Sequence, residues 1–403
     1  MGRMVTRAEP AKATVLTRQQ VTRLLEALAS SSPVSGLTHR FYRYPARFSP
    51  DFVAHAIDVF TQPGDYVLDP FMGGGTSLVE ALASGRRVLG CDINPLAGFL
   101  TRVKTTPLGQ RDVAALVEWV AGLESRTTLN RLVGTPSEWI RYQRHLPWWL
   151  RKTLQLGLAT VKELDSRRTR RFAKCSLLKT AQWALDCRAE IPTREQFLQR
   201  HRHDFAEMLG GMAEFGRRTG AVLGSPSEWL ARYRRILVRN AAGLESDHRL
   251  PRTWGAPRLI LTSPPYVGVH ILYHRWQVRG RRETPAPYWV IGSRDGKGGS
   301  YYNFADRRNK TMMPYLGALA KAFQSISSLM DERSVIVQLV AFADPEQQLP
   351  LYLATLSTLG LHAVNLGAKA QVVSREVPNR KWYADVKGST AASREFLLVH
   401  RLA

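Results

Sequence analysis

From Arg18 to Ala29 apolar residues recur every three or four positions, which predicts a short amphipathic helix; the loop SSSPVSG follows it. The pattern changes at Leu37. Tyr66-Val67-Leu68 reads as a short buried strand, Ser77–Ala83 as a helix, and Arg87–Cys91 as a second strand ended by Asp92. A glycine cluster separates the first two. A strand, glycine-rich turn, helix and strand within about thirty residues is the opening unit of a doubly wound α/β sheet. From about Arg111 to Arg239 the spacing is helical. Strand-like text resumes at Arg258–Leu261. It is followed by a helix at Thr311–Met330, a strand at Val335–Val340, a helix at Pro345–Leu359 and closing strands in His362–Val373 and Phe396–His400. The pattern predicts one α/β domain, 37–110 plus 240–403, preceded by an appendage over 1–36 and interrupted by a helical insertion over 111–239. The insertion holds one echo, GTPSEWI at 134–140 and GSPSEWL at 224–230, each read as a turn, a serine cap and a helix start.

VLDPFMGGGT (67–76) carries the first chemical signal. The strand delivers Asp69 at its carboxyl end, and Gly73, Gly74 and Gly75 let the backbone turn closely past a ligand. Asp92 ends the next strand, where a carboxylate accepts hydrogen bonds from the two ribose hydroxyls of an adenosine. A dinucleotide fingerprint would need a third glycine where Leu78 stands, and a phosphate loop would need a lysine after the glycines. With neither pyrophosphate device present, a cofactor without phosphates fits, and S-adenosylmethionine is the obvious one.

LILTSPPYVG (259–268) is the second signal. Its Thr262-Ser263-Pro264-Pro265-Tyr266 segment follows a strand at its carboxyl end, where open α/β sheets place chemistry. Two adjacent prolines hold the backbone extended. Ser263 adds a hydroxyl, Tyr266 a ring face, and the carbonyls of Ser263 and Pro264 are held toward a bound group. Such a loop can grip an exocyclic amino group while stacking the base that carries it.

Together, DPFMGGGT and TSPPY resemble the amino-group DNA methyltransferases, which modify cytosine N4 or adenine N6. HRFYRYPARFSPDF (39–52) is similar to the family's N-terminal cofactor segment, with Tyr44, Pro45, Ala46, Phe48 and Pro50 matching and Arg47 in place of lysine. Asp92-Ile93-Asn94-Pro95 resembles the ribose-binding region, and REFLLVHRL (394–402) the closing strand. The chain departs from the family at Arg239-Asn240-Ala241-Ala242, where members carry Gly-Asp-Ala, so the contact to the adenine amino group is either lost or supplied by Asn240. The resemblance implies a Rossmann-like methyltransferase sheet and S-adenosylmethionine as cofactor. Tyr44, Pro45, Phe48, Asp69, Pro70, Phe71, Gly73, Gly75, Thr76, Asp92, Ile93, Asn94 and Asn240 would form the cofactor site. Ser263, Pro264, Pro265 and Tyr266 would form the catalytic loop. It further implies direct methyl transfer to the amino group of a base flipped out of duplex DNA. Serine at the head of the loop favours cytosine N4; adenine N6, or an idle nucleic-acid-binding module on the same fold, are the alternatives. A modification enzyme with a separate restriction endonuclease as partner is the biological expectation.

Charge narrows the partner. The 403 residues include 57 Lys and Arg against 33 Asp and Glu, a net +24, which suits a polyanion. Residues 126–240 alone hold 23 basic against 10 acidic residues, so double-stranded DNA tracked by the insertion is expected. Arg167, Arg168, Arg170 and Arg171 lie in RRTRRFAK, further arginines in RYRRILVR (232–239), and Arg275, Arg279, Arg281 and Arg282 follow the catalytic loop beside Trp276, Tyr288 and Trp289. Trp148, Trp149 and Trp183 are expected in the core. Tyr301-Tyr302, after Gly-Lys-Gly-Gly, marks a segment that could order on DNA. A 44% hydrophobic content excludes wholesale disorder. No run of eighteen apolar residues exists to cross a membrane. Three cysteines without a CxxC pair and an N-terminus without an apolar signal stretch suggest a reducing, cytoplasmic setting. The scattered histidines give no ligand spacing, so no metal is expected.

Overall fold

The computed structural model describes residues 16–30, 34–44, 48–128, 134, 136–266, 275–280, 282–296, 299–304, 311–366, 371–376 and 394–402. Helix α1 (Arg18–Ala29) starts on a capping box in which Thr17 and Gln20 exchange hydrogen bonds. Its Leu24 and Leu28 are buried, and it packs on α2 (Pro50–Phe60), so this part of the expected appendage is built into the core. Strand β1 (Tyr66–Asp69), helix α3 (Thr76–Ala83) and strand β2 (Arg87–Asp92) follow the predicted order within a residue at each end. Helix α4 (Pro95–Lys104) begins on Asn94, whose side chain accepts from the Leu96 N–H.

The insertion is helical, with α5 (Gln110–Ala121), α6 (Leu123–Arg126), α7 (Trp148–Val161), α8 (Arg167–Leu185), α9 (Arg194–Leu223) and α10 (Pro226–Tyr233). The 30 residues of α9 span about 45 Å, and Phe197, Phe205, Met208, Met212 and Phe215 bury one stripe along it. Because α8 packs on α4 and α9 on α3, the insertion shares one hydrophobic core with the sheet. Burying a side chain such as Leu154 there contributes about 1.5–3 kcal/mol. The two echo segments part ways. Pro136 precedes a 3-10 turn over Ser137–Gln143, whereas Ser225 precedes α10 and spends its hydroxyl on Ser227 rather than on the helix end.

The helical pattern stops at Tyr233, not at Arg239. Residues Arg234–Val238 form β3, a parallel edge strand on β2, which corrects the expected boundary and the reading of RYRRILVR as a DNA-facing cluster. Arg234 donates to the Thr105 carbonyl and to the hydroxyls of Thr105 and Thr106, Arg235 lies over the Trp254 ring, and Arg239 pairs with Asp247. These arginines serve the fold.

Strand β4 (Leu259–Thr262) lies beside β1. A hairpin, β5 (Trp276–Val278) and β6 (Arg282–Thr284), leads into α11 (Ala286–Ile291). Then come α12 (Met313–Ser327), β7 (Val335–Ala341), α13 (Pro345–Ser357), β8 (Leu361–Ala363), β9 (Val372–Glu376) and β10 (Arg394–Leu402). The region expected as one closing strand, 362–373, is therefore split between β8 and β9. Among the described residues the main sheet runs β3-β2-β1-β4-β7-β10-β8, parallel as far as β7, with β9 also pairing on β10. This is a doubly wound, Rossmann-like sheet. Its chain order reverses between β1 and β4, and open sheets of this kind bind ligands at the carboxyl ends of the strands flanking that reversal.

Candidate active site

The loops leaving β1 and β4 meet there in one cleft. Tyr44, Pro70, Phe71, Gly73, Asp92, Ile93, Asn94, Asn240 and Ala241 line one part, and Ser263, Pro264, Pro265, Tyr266 and the stretch Tyr301–Phe304 line the other. The cleft is open at its mouth, and the space of about 800 Å³ between its walls includes solvent outside it.

Local backbone chemistry shapes the cofactor half. Gly73 has φ +45° and donates its N–H to Asp92 Oδ2 at 2.9 Å, while the Asn94 N–H reaches Oδ1 at 2.8 Å. The carboxylate is thus aimed by two backbone donors, and each oxygen keeps lone-pair capacity for a ligand. Burial nevertheless pushes its pKa up to about 6. Gly75, at φ +76°, caps α3 from the left-handed region; a Cβ there would lie 2.5 Å from Thr101 Oγ1. Tyr44 packs its ring over Gly73 and Gly74 and receives the Asn94 side-chain N–H at 3.3 Å, and Asn94 in turn accepts from the Tyr288 hydroxyl at 3.0 Å.

The loop after β4 is pinned from behind. Tyr315 on α12 donates to the Pro265 carbonyl at 2.8 Å. The Ser263 hydroxyl donates to the Tyr266 oxygen at 3.2 Å, and the Tyr266 hydroxyl donates to Glu395 Oε1 at 3.1 Å. The Tyr266 ring still lines the cleft. A 3-10 turn, Gly299–Tyr302, carries the far wall: Tyr302 donates to Asp295, and Phe304 packs edge-on against Phe71 and Tyr315.

Several expected positions lie elsewhere. Asp69 is buried behind the loop, where it accepts from Thr262 Oγ1 and the Phe71 N–H; burial pushes its pKa up to about 7, and it does not line the cleft. Phe48 is buried in a stack with Phe52, and Thr76 and Gly75 sit under the loop as the start of α3. Pro45 and Arg281 lie outside the described residues. Asn240 does line the cleft, with its Oδ1 accepting from the Ala242 N–H. Arg275, expected at DNA, is partly exposed and paired with Asp295 and Glu283. Trp276 and Tyr288 are buried rather than offered to bases, Trp276 donating to the Tyr42 hydroxyl. Arg279, Arg282, Arg167 and Arg168 are exposed, and Arg170 and Arg171 partly so. Trp148, expected in the core, is 57% exposed at the start of α7.

Three contributors escaped sequence reasoning. Lys104 is buried and donates to the Gly74 carbonyl at 2.7 Å, holding the glycine turn from below. Tyr315 and Glu395 reach the loop after β4 from 50 and 129 residues away, so no local spacing marks them. Only the presence of Lys104 in an otherwise apolar helix stretch was a readable signal.

Among the described residues lining the cleft Asp92 is the one charged side chain, and no lysine or arginine is present to meet phosphates. An aimed carboxylate, a glycine turn and aromatic walls fit S-adenosylmethionine, a cationic nucleoside cofactor without phosphate. Among the described residues no group of three or more His, Cys, Asp or Glu is arranged to hold a metal ion, and no helix is long and apolar enough to cross a membrane.

The N6/N4 methyltransferase family, described as DNA methylase, matches residues 19–97, which hold the whole glycine turn and Asp92. The Type II methyltransferase M.MvaI of Kocuria varians is 47% identical over 75 residues, covering 18% of this chain and 16% of that protein. The Type II methyltransferase M.MjaII of Methanocaldococcus jannaschii is 35% identical over 66 residues, covering 16% of this chain and 12% of that protein. The chain thus matches a small fraction of the length of these relatives. Among solved structures, the rRNA methyltransferase aviRa of Streptomyces viridochromogenes aligns over 93% of this chain and 92% of its own at 14% identity with a TM-score of 0.34, a likeness from which nothing about substrate follows. Residues 19–97 of the chain are thus similar to the N6/N4 DNA methylase family.

Proposed function

We propose that the protein transfers the methyl group of S-adenosylmethionine to the exocyclic amino nitrogen of a base flipped out of duplex DNA, with cytosine N4 as the target. The observation that carries this reading is the meeting of Gly73 and Asp92 with Ser263, Pro264 and Tyr266 in one cleft. When bound, the cofactor supplies an electrophilic methyl on its sulfonium. Asp92 would hold the ribose hydroxyls, Tyr44 and Phe71 would flank the nucleoside, and Asn240 stands where the family meets the adenine amino group.

An exocyclic amine is a poor nucleophile because its lone pair is delocalised into the ring. Ser263 Oγ and the Pro264 carbonyl would accept its hydrogens, drawing the nitrogen toward tetrahedral geometry and exposing the lone pair. The Pro264-Pro265 backbone and the Tyr315 contact keep those acceptors fixed, which reduces reorganisation during the reaction. The Tyr266 ring would stack on the base. Flipping that base costs a few kcal/mol.

Exposed Arg279 and Arg282 on the hairpin and Arg167 and Arg168 on α8 are assigned to phosphates, with the insertion as the recognition region. A β-bridge between Arg188 and Val278 ties the hairpin to the segment after α8, at the opposite end of that helix from Arg167 and Arg168. The wild-type relationship to a nuclease is read as that of a modification enzyme with a separate endonuclease.

The test is chemical. The protein is incubated with genomic DNA and labelled S-adenosylmethionine, the DNA is digested to nucleosides, and the labelled one is identified by mass. N4-methylcytosine is the expected product. N6-methyladenine would move the target to adenine, and an unlabelled digest on varied DNA that the protein binds would leave only a binding module.

A further inference from the structure

We propose that Glu395, at the head of the closing strand, fixes the hydrogen-bond polarity of the loop after β4, so that Ser263 faces the substrate as an acceptor. The inference rests on the methyl-transfer reading above and adds to it a residue that selects amino-bearing bases.

Glu395 is buried at the start of β10, opposite Ala341 of β7. Its Oε2 accepts from Arg375 Nε at 3.0 Å and Nη2 at 2.8 Å. The third arm of that guanidinium, Nη1, donates to the Leu28 carbonyl at 2.7 Å, so the fork is anchored to the end of α1. A buried carboxylate held by both arms of an arginine fork is kept ionised, and an ionised carboxylate has no hydrogen to give. Its other oxygen, Oε1, lies 3.1 Å from the Tyr266 hydroxyl. Tyr266 gives its hydrogen to Glu395.

The next link follows by the same count. With that hydrogen on Glu395, the Tyr266 oxygen accepts from Ser263, 3.2 Å away. The one Ser263 hydrogen then points away from the cleft, and its lone pairs are what a ligand meets. An amino group, which donates, is matched. A ring carbonyl at the same position would place acceptor against acceptor, with no hydrogen between them. Glu395 thus acts as a positioning residue for Ser263, selecting cytosine over uracil, or adenine over hypoxanthine, without touching the base.

Two variants separate the polarity from the fold. Tyr266→Phe cuts the chain while leaving the Glu395–Arg375 pair intact, and Ser263 becomes free to donate or accept. Glu395→Gln keeps the shape but can present an N–H to Tyr266, which would reverse both hydrogen bonds and turn the Ser263 hydrogen into the cleft. A duplex containing a site methylated by the wild-type protein is prepared with the target amino base or with its keto analogue. Binding to both is measured in the presence of S-adenosylhomocysteine. Wild-type protein is expected to prefer the amino base by about tenfold or more. Both variants should bring that ratio down to about threefold or less, with cofactor affinity held within about twofold. If Glu395→Gln fails to fold, Tyr266→Phe decides alone. An undiminished ratio in a folded variant overturns the role of Glu395 while leaving methyl transfer standing. A wild-type protein that methylates no DNA overturns the underlying reading instead.

Discussion

Asp92 carries opposing demands. Two backbone N–H groups aim it and favour its charge, yet burial outweighs them and holds its pKa near 6. Hydroxyl donors from a bound ribose would favour the ionised form. Cofactor binding should therefore release a proton, and affinity should fall as pH drops through about 6. Calorimetry in two buffers of different ionisation enthalpy checks this; the same observed heat in both at pH 6 would contradict it. Without cofactor the sign is opposite for stability. Asp69 and Asp92 both have folded pKa values above the ordinary 3.8, so the folded state binds more protons than the unfolded one up to about pH 7 and about pH 6 respectively, and their contribution to stability falls as pH rises through those windows. Asp92→Ala removes two charged acceptors and should weaken S-adenosylmethionine binding about 10- to 100-fold. At this scale the sequence was informative where chemistry is local. That Gly73, Asp92 and Ser263–Tyr266 lie along one cleft was legible because a turn or a strand end needs those residue types. Asp69 was less legible because a strand-end acid serves equally well as an internal brace, here for Thr262 and Phe71.

The glycine turn and the helix it starts form one device. Gly75 adopts a left-handed conformation directly against Thr101 of α4, and Lys104, one turn further along α4, holds the Gly74 carbonyl. Gly75→Ala is expected to destabilise the fold by about 1–3 kcal/mol, since strain in φ and the clash with Thr101 act together. Denaturant unfolding measures this, and Thr101→Ala in the same chain should recover the steric part only. A neutral Gly75→Ala would mean that the turn relaxes without α4. Element identities were legible wherever periodicity was sustained, as in α1 and the alternation after Arg258. The edge strand β3 was not, because Arg234-Arg235-Ile236-Leu237-Val238 continues a basic helical stretch and only its pairing with β2 reveals the extended form. Glu395 and Arg375 were equally unreadable, since what they do depends on which strands become neighbours.

Across the whole molecule the net charge of +24 is partly internal. Arg234, Arg239, Arg275 and Arg375 are committed to carbonyls and carboxylates within the fold, which leaves Arg167, Arg168, Arg279 and Arg282 among the exposed cations flanking α8 and the hairpin. Duplex binding should weaken steeply with salt, by a slope of about 0.9 for each phosphate neutralised. Replacing Arg167 and Arg168 with glutamine should lower that slope by about one to two, whereas Arg275→Gln should act mainly through stability. Fluorescence anisotropy over a salt series distinguishes them, and an unchanged slope in the double variant would place the DNA elsewhere. The central claim is that one cleft joins a cofactor carboxylate to an amine-gripping serine. It is tested most directly by the transfer of labelled methyl from S-adenosylmethionine to duplex DNA by the wild-type, Asp92→Ala and Ser263→Ala proteins. Label on a base amino nitrogen is expected from the wild type, with a raised KM for the cofactor in Asp92→Ala and a kcat lowered about 10- to 100-fold in Ser263→Ala at unchanged cofactor affinity. Full wild-type transfer by Ser263→Ala would contradict it.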